Sequence, residues 1–189
     1  MNLILKCRDF LKRKIIDKYK IGLYYIKKEK KFMNKEYEYS FYVEKIEPFI
    51  KYCEKNNYRK INECNQIREL YKNGNKILAR VTKNYIDGNE KIFFDLKDEN
   101  ETEDTLKICR ESGEIEVTNS MEFVNSLLEM MEFKFHKKLE RKRYVYEKGN
   151  VKFEIDDYKV PKAKVVAIEG DKLEVDKVYS EIKNRNFLK

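Results

Sequence analysis

The chemistry open to this chain is that of carboxylates, lysines and arginines. It has a single histidine, His136, so a Ser-His-Asp or Cys-His relay has one base to draw on. Its four cysteines, Cys7, Cys53, Cys64 and Cys109, are scattered and form no CxxC pair, which argues against a structural zinc site. Neither a GxxxxGK-S/T nor a GxGxxG phosphate loop occurs. What remains is a series of short segments that carry acids and cations at every second residue. They are Glu36 and Glu38 in EYEYSFYV, Arg80 in KILARVTK, Asp95 and Lys97 in KIFFDLKD, Arg141 and Arg143 in ERKRYVY, and Lys152, Glu154 and Asp156 in VKFEIDD. Carboxylates hold Mg²⁺ or Mn²⁺ through oxygen. Arg and Lys grip phosphate oxygens through charge-assisted hydrogen bonds. Together they can neutralise a triphosphate and its transition state without histidine or cysteine.

Such residues need strands to position them. Side chains alternate across a strand, so residues of equal parity share a face. Val151, Phe153 and Ile155 oppose Lys152, Glu154 and Asp156; Ile77, Ala79 and Val81 oppose Arg80; Ile92, Phe94 and Leu96 oppose Asp95 and Lys97. Glu36 shares a face with Glu38, Arg141 with Arg143, and Arg110 is grouped with Glu114 and Glu116. Alternation alone leaves two arrangements open: a sheet with a solvated charged face, or a closed barrel with a charged interior and helices over its apolar outside.

Strands are expected over 36–43, 61–71, 76–83, 91–98, 106–117, 133–146, 151–157 and 163–169, with Gly113 as a bulge and 98–104 as a solvated loop. Helices are expected over 46–56, over 121–131 with Asn119 or Ser120 as cap, and over 173–185 with a Val175, Val178, Tyr179, Ile182 stripe. His136 reads as an exposed polar residue, Tyr144 and Tyr146 as packing, and Met121, Met130 and Met131 as helix core. The strand–turn–strand succession favours an antiparallel sheet that is rolled or closed.

The 189 residues suit one domain of ordinary size, or one domain with an appendage. The first 32 residues hold eleven Lys or Arg against three acids, which is the whole formal excess of +8. Residues 33–189 are therefore neutral overall, and basicity gives no argument for a nucleic-acid-binding body. Residues 1–32 read as a basic leader, either a surface or partner segment or sequence upstream of a start at Met33. No run of 18 apolar residues exists, so no membrane span is expected. Scattered thiols and the lack of a secretion signal point to the cytoplasm.

Over residues 36–170 the order of motifs resembles the CYTH superfamily, the triphosphate tunnel metalloenzymes. Glu36-Tyr-Glu38 is similar to its N-terminal ExExK, followed by Arg80, Lys97, Arg110-Glu111, Arg141-x-Arg143, Asp156 in GNVKFEIDD and Glu169 in VVAIEG. The resemblance implies an α+β fold, an eight-stranded antiparallel closed barrel with flanking helices, spanning 33–189. It implies Mg²⁺ or Mn²⁺ on Glu36, Glu38, Asp156 and Glu169, with Glu114 or Glu116 as further acids. It implies phosphate binding by Arg80, Lys97, Arg110, Arg141 and Arg143, with Glu38, Arg143 and Lys97 in catalytic roles. The implied substrates are triphosphates such as ATP, thiamine triphosphate or tripolyphosphate. The implied activities are phosphohydrolysis, class IV adenylyl cyclisation or, in a degenerate member, binding without turnover; RNA processing through the leader is a further reading. Three positions depart from the pattern: Ser40 replaces the ExExK lysine, Ala167 replaces the first glutamate of the last strand, and Arg141 replaces a lysine.

Overall fold

Among the described residues, ten strands and three helices follow one another. They are β1 (Asn34–Tyr42), α1 (Glu47–Lys55), β2 (Arg59–Lys72), β3 (Ile77–Ile86), β4 (Asn89–Asp98), β5 (Glu101–Glu103), β6 (Leu106–Glu111), β7 (Ile115–Glu116), α2 (Glu122–Met130), β8 (Lys134–Lys148), β9 (Val151–Val160), β10 (Ala163–Gly170) and α3 (Lys172–Asn184). The structure, a computed structural model, describes residues 34–185 except 75–76, 99–100, 104 and 119–120. The basic leader and the Asn119/Ser120 cap fall outside the described residues.

Eight of the strands close into a ring in the order β1-β10-β9-β8-β2-β3-β4-β6 and back to β1, with β5 and β7 appended. The closing contact pairs Lys97 of β4 with Glu111 of β6. Hairpins build the ring where the turn chemistry allows it. Asp87 and Gly88 take φ of 50° and 81° between β3 and β4, the left-handed backbone that a tight hairpin turn requires. Gly170 ends β10 at φ 147°, and a Cβ there would lie 1.9 Å from the carbonyl oxygen of Asn150, so only glycine fits.

The barrel is apolar outside and charged inside. Phe153 and Ile155 of β9, Val166 and Ile168 of β10 and Tyr146 of β8 point outward and are buried beneath Phe49, Tyr52 and Cys53 of α1 and Val175 and Ile182 of α3. On another side, Ala79 and Val81 of β3 and Phe94 of β4 pack under Val124 and Leu128 of α2. Burial of these faces at roughly 25 cal/mol per Å² of apolar area is what holds the helices on. No helix among the described residues is long and apolar enough to cross a membrane.

Three expectations change. Residues 98–104 are not all loop, because Glu101–Glu103 pairs with Leu106–Ile108. The strand expected over 106–117 divides into β6 and β7. Five residues, from Glu111 to Ile115, run opposite four of β4, from Lys97 to Phe94, so one residue is extra and the alternation of faces is reset. Met130 and Met131 are exposed rather than core, because α2 buries Val124 and Leu128 instead.

Phe153 is fully buried between barrel and helices. Phe153→Ala is expected to lower stability by about 3–5 kcal/mol, read from chemical denaturation. A solvent-facing Phe153 would make the change nearly neutral.

Candidate functional site

Inside the ring, the main ion pairs are cross-strand partners, so strand register decides which charges meet. Arg80 faces Asp95, Lys97 faces Glu111, Arg143 faces Asp156 and Lys152 faces Glu169. Two clusters result.

The first is built by β1, β3, β4 and β6. Arg80 Nε donates to both oxygens of Asp95 at 3.0 and 2.9 Å, and its two terminal nitrogens donate to Glu111 at 3.2 and 2.7 Å. Lys97 Nζ lies 2.6 Å from Glu111 and 3.5 Å from Glu38, and Lys107 Nζ lies 3.2 Å from Glu38. Burial pulls the Glu111 carboxyl upward, but Arg80 and Lys97 outweigh it and hold Glu111 down at about 2.

The second cluster belongs to β8, β9 and β10. Arg143 Nε and one terminal nitrogen each donate to Asp156 at 2.8 Å, and its other terminal nitrogen lies 2.5 Å from Glu154. Arg141 donates to the same Asp156 at 2.8 Å, to Gln66 Oε1 at 2.7 Å and to the Tyr158 hydroxyl. Lys152 Nζ bridges Glu169 at 2.6 Å and Glu154 at 3.5 Å. Burial and then the neighbouring Glu154 carboxylate push the Glu169 carboxyl up.

Two groups stand outside this compensation. The Glu36 carboxylate makes no hydrogen bond or ion pair among the described residues. It converges with Glu111 and the Cys109 thiol, with one ligand atom of each within 4.8 Å of the others. Burial and then Glu111 raise its pKa. The other group is Arg68 on β2. Its Nε donates to Thr82 Oγ1 at 3.0 Å, and its one carboxylate contact among the described residues is half-exposed Glu114, at 4.0 Å.

Of the residues expected from the resemblance, Glu38, Arg80 and Lys97 fall in the first cluster and Arg141, Arg143, Asp156 and Glu169 in the second. Glu36 lies on the same inner face of β1 as Glu38. Three do not join them. Arg110 is half exposed and reaches toward Asp98 at 3.9 Å, Glu114 is half exposed, and Glu116 pairs with Lys91 on the surface. On β6 it is Glu111 that points inward. The alternation of LKICRE signals this, since it places Arg110 with Leu106 and Ile108 and Glu111 with Lys107 and Cys109. Arg68 and Asp95 are further inner charges, each at even spacing from a neighbouring inner residue, Gln66 and Lys97 respectively. Ser40 and Ala167, the two departures on β1 and β10, are direct cross-strand partners, so the two missing charges are missing side by side.

The donor set suits a hard divalent cation at Glu36. Carboxylate oxygens of Glu36 and Glu111 lie within 4.8 Å of one another, and Glu36, whose pKa is raised by burial and Glu111 against the pull of Lys152 and Lys97, would be relieved by a cation. Burial raises Cys109 to about 11, which keeps it a thiol rather than a thiolate ligand.

No protein-family model matches the chain, and no curated protein matches its sequence. Solved structures do match its fold. A Pyrococcus horikoshii protein is 21% identical with a TM-score of 0.64, over 82% of this chain and 91% of its own. A Hippeastrum adenylyl cyclase candidate described as having a dominant triphosphatase activity is 13% identical with a TM-score of 0.60, over 80% and 88%. A chain of the Schizosaccharomyces pombe Mediator head module is 13% identical with a TM-score of 0.57, over 80% and 94%. At these identities the likeness is one of fold.

Two measurements test the network. Asp156→Ala strands Arg141 and Arg143 inside the barrel and is expected to cost about 3–5 kcal/mol in denaturant unfolding. Glu111 is held below its ordinary 4.5, so its contribution is complete above that pH and is lost as pH falls toward about 2. The stability gap between wild type and Glu111→Gln should therefore be widest near neutrality and close across that window. A gap independent of pH would mean that Glu111 is not paired with Arg80 and Lys97.

Proposed function

We propose that the chain is a divalent-metal-dependent phosphohydrolase acting on an inorganic or organic triphosphate inside the barrel. The observation that carries this reading is the meeting of Glu36 and Glu111 beside a lumen lined by buried Arg and Lys. The Hippeastrum relative in fold, with its triphosphatase activity, supports the same substrate class.

Mg²⁺ or Mn²⁺ on Glu36 and Glu111, with Glu38 beside them, supplies Lewis acidity to phosphoryl oxygens when bound. The chain's own residues do the rest. Arg80, Lys97, Arg141 and Arg143 are fixed by their carboxylate partners, so their donors are already oriented before an anion arrives. Each can turn an N–H from a carboxylate to a phosphate oxygen and stabilise charge that grows there during transfer. The covered outer faces hold the strands rigid, and burial of the inner charges strengthens every electrostatic contact. Hydrolysis places a water on the terminal phosphorus. Cyclisation of ATP would use the same cradle, with the ribose 3′-hydroxyl attacking the α-phosphorus and pyrophosphate leaving.

A second reading, a nucleotide or polyphosphate binder without turnover, is favoured by the Ser40–Ala167 pair. Cross-strand neighbours that are both uncharged leave no stranded charge, as expected when a Lys–Glu pair is lost as a unit.

The test uses the purified full chain with tripolyphosphate or ATP and Mg²⁺ or Mn²⁺, following phosphate, pyrophosphate and cyclic AMP. Metal-dependent turnover that falls about a hundredfold in Glu36→Gln supports the enzyme, and the product names the reaction. Binding without turnover, with activity appearing in the Ser40→Lys/Ala167→Glu double variant, supports the binder instead.

A further inference from the structure

We propose that Arg68 is an anion-binding residue of the barrel, taking the non-bridging oxygens of a phosphoryl group held across the lumen from Glu36. The inference rests on the triphosphate reading and adds to it a residue that the family resemblance does not assign.

The argument is one of compensation and position. Among the described residues, every other inward arginine holds at least one buried carboxylate at hydrogen-bond distance. Arg80 holds Asp95 and Glu111, Arg143 holds Asp156 and Glu154, and Arg141 holds Asp156 with Gln66. Arg68 has its Nε fixed by Thr82, and its side chain is only 11% exposed, yet its terminal nitrogens have no buried carboxylate within 4 Å among the described residues. Burial, and then Arg141, Arg80 and Arg143, lower its pKa, against the pull of Glu154, so the charged guanidinium sits among other cations. An anion there would remove that penalty.

The ring explains the placement. β2 lies between β3, which carries Arg80, and β8, which carries Arg141 and Arg143. β1 lies four strands from β2 in either direction, so Glu36 and Arg68 belong to opposite sides of the closed ring. Among the described residues, a carboxylate without a hydrogen bond or ion pair and a guanidinium without a buried carboxylate within 4 Å thus stand on opposite sides of the ring, with partly buried Glu154 acting on both through its field. A group that carries a cation on one side and anionic oxygens on the other satisfies both. A metal-bound phosphoryl group is of that kind, whereas an uncharged or purely cationic ligand leaves Arg68 bare.

The test is calorimetric titration of the full chain with tripolyphosphate and Mg²⁺, alongside thermal unfolding with and without that ligand. Arg68→Gln should weaken binding ten- to a hundredfold and abolish most of the ligand-induced rise in melting temperature. Without ligand it should melt at or above wild type, because a buried cation lacking a partner has been removed. Arg68→Lys should recover part of the affinity, and Arg59→Gln, exposed on the same strand, should bind as wild type does. If wild type binds and Arg68→Gln binds within twofold, Arg68 has no part in the site and the tunnel reading stands. If Arg68→Gln and Arg68→Lys both melt well below wild type without ligand, Arg68 is a structural donor and the proposal fails. If wild type binds no tripolyphosphate at all, both readings fall together.

Discussion

Everything in this barrel depends on charges being buried in pairs. An ion taken out of water costs several kcal/mol, and only a close partner with satisfied hydrogen bonds returns that energy. The chain solves this by register. Arg143 and Asp156, Arg80 and Asp95, Lys97 and Glu111, and Lys152 and Glu169 are each placed opposite one another by strand pairing. A slip of one residue in any of these ladders would bring an apolar side chain into the lumen and push a charge under a helix. The interior that serves as a candidate site is therefore also what fixes the pairing of the strands around it.

The same constraint shapes what the site can bind. A lumen in which cations are matched by carboxylates does not attract a bare polyanion by net charge. It offers oriented donors that exchange one set of oxygens for another, and it favours ligands that bring their own positive charge. A metal–phosphate complex meets that requirement. The pairing of Ser40 with Ala167 obeys the same rule, since two uncharged neighbours leave no charge without a partner.

The apolar outside is the other half of the design. Period-two strands with one charged face normally show that face to water. Here the ring turns it inward, and α1, α2 and α3 cover what would otherwise be exposed hydrophobic surface. Closing the ring also removes the edges that an open sheet of this kind would present.

The strands, their turns, the helix stripes and the division of each strand into an apolar and a charged face were legible in the sequence. They follow from local rules: side-chain alternation, glycine at tight turns, and apolar residues at helical spacing. The alternation put Arg80, Lys97, Arg141, Arg143, Glu36, Glu38 and Asp156 on charged strand faces, and the resemblance of the motif order joined them with Glu169 into a candidate set. Where alternation was interrupted, local reading failed. The extra residue between Glu111 and Ile115 reset the faces, so the grouping of Arg110 with Glu114 and Glu116 by parity did not hold. Which charge meets which depends on ring closure and register, both relations between residues far apart in the chain. Only the tertiary structure decided that Asp156 accepts from two arginines, that Arg80 is held by two carboxylates, and that Glu36 and Arg68, neither tied to a buried ion-pair partner among the described residues, lie on opposite sides of the barrel.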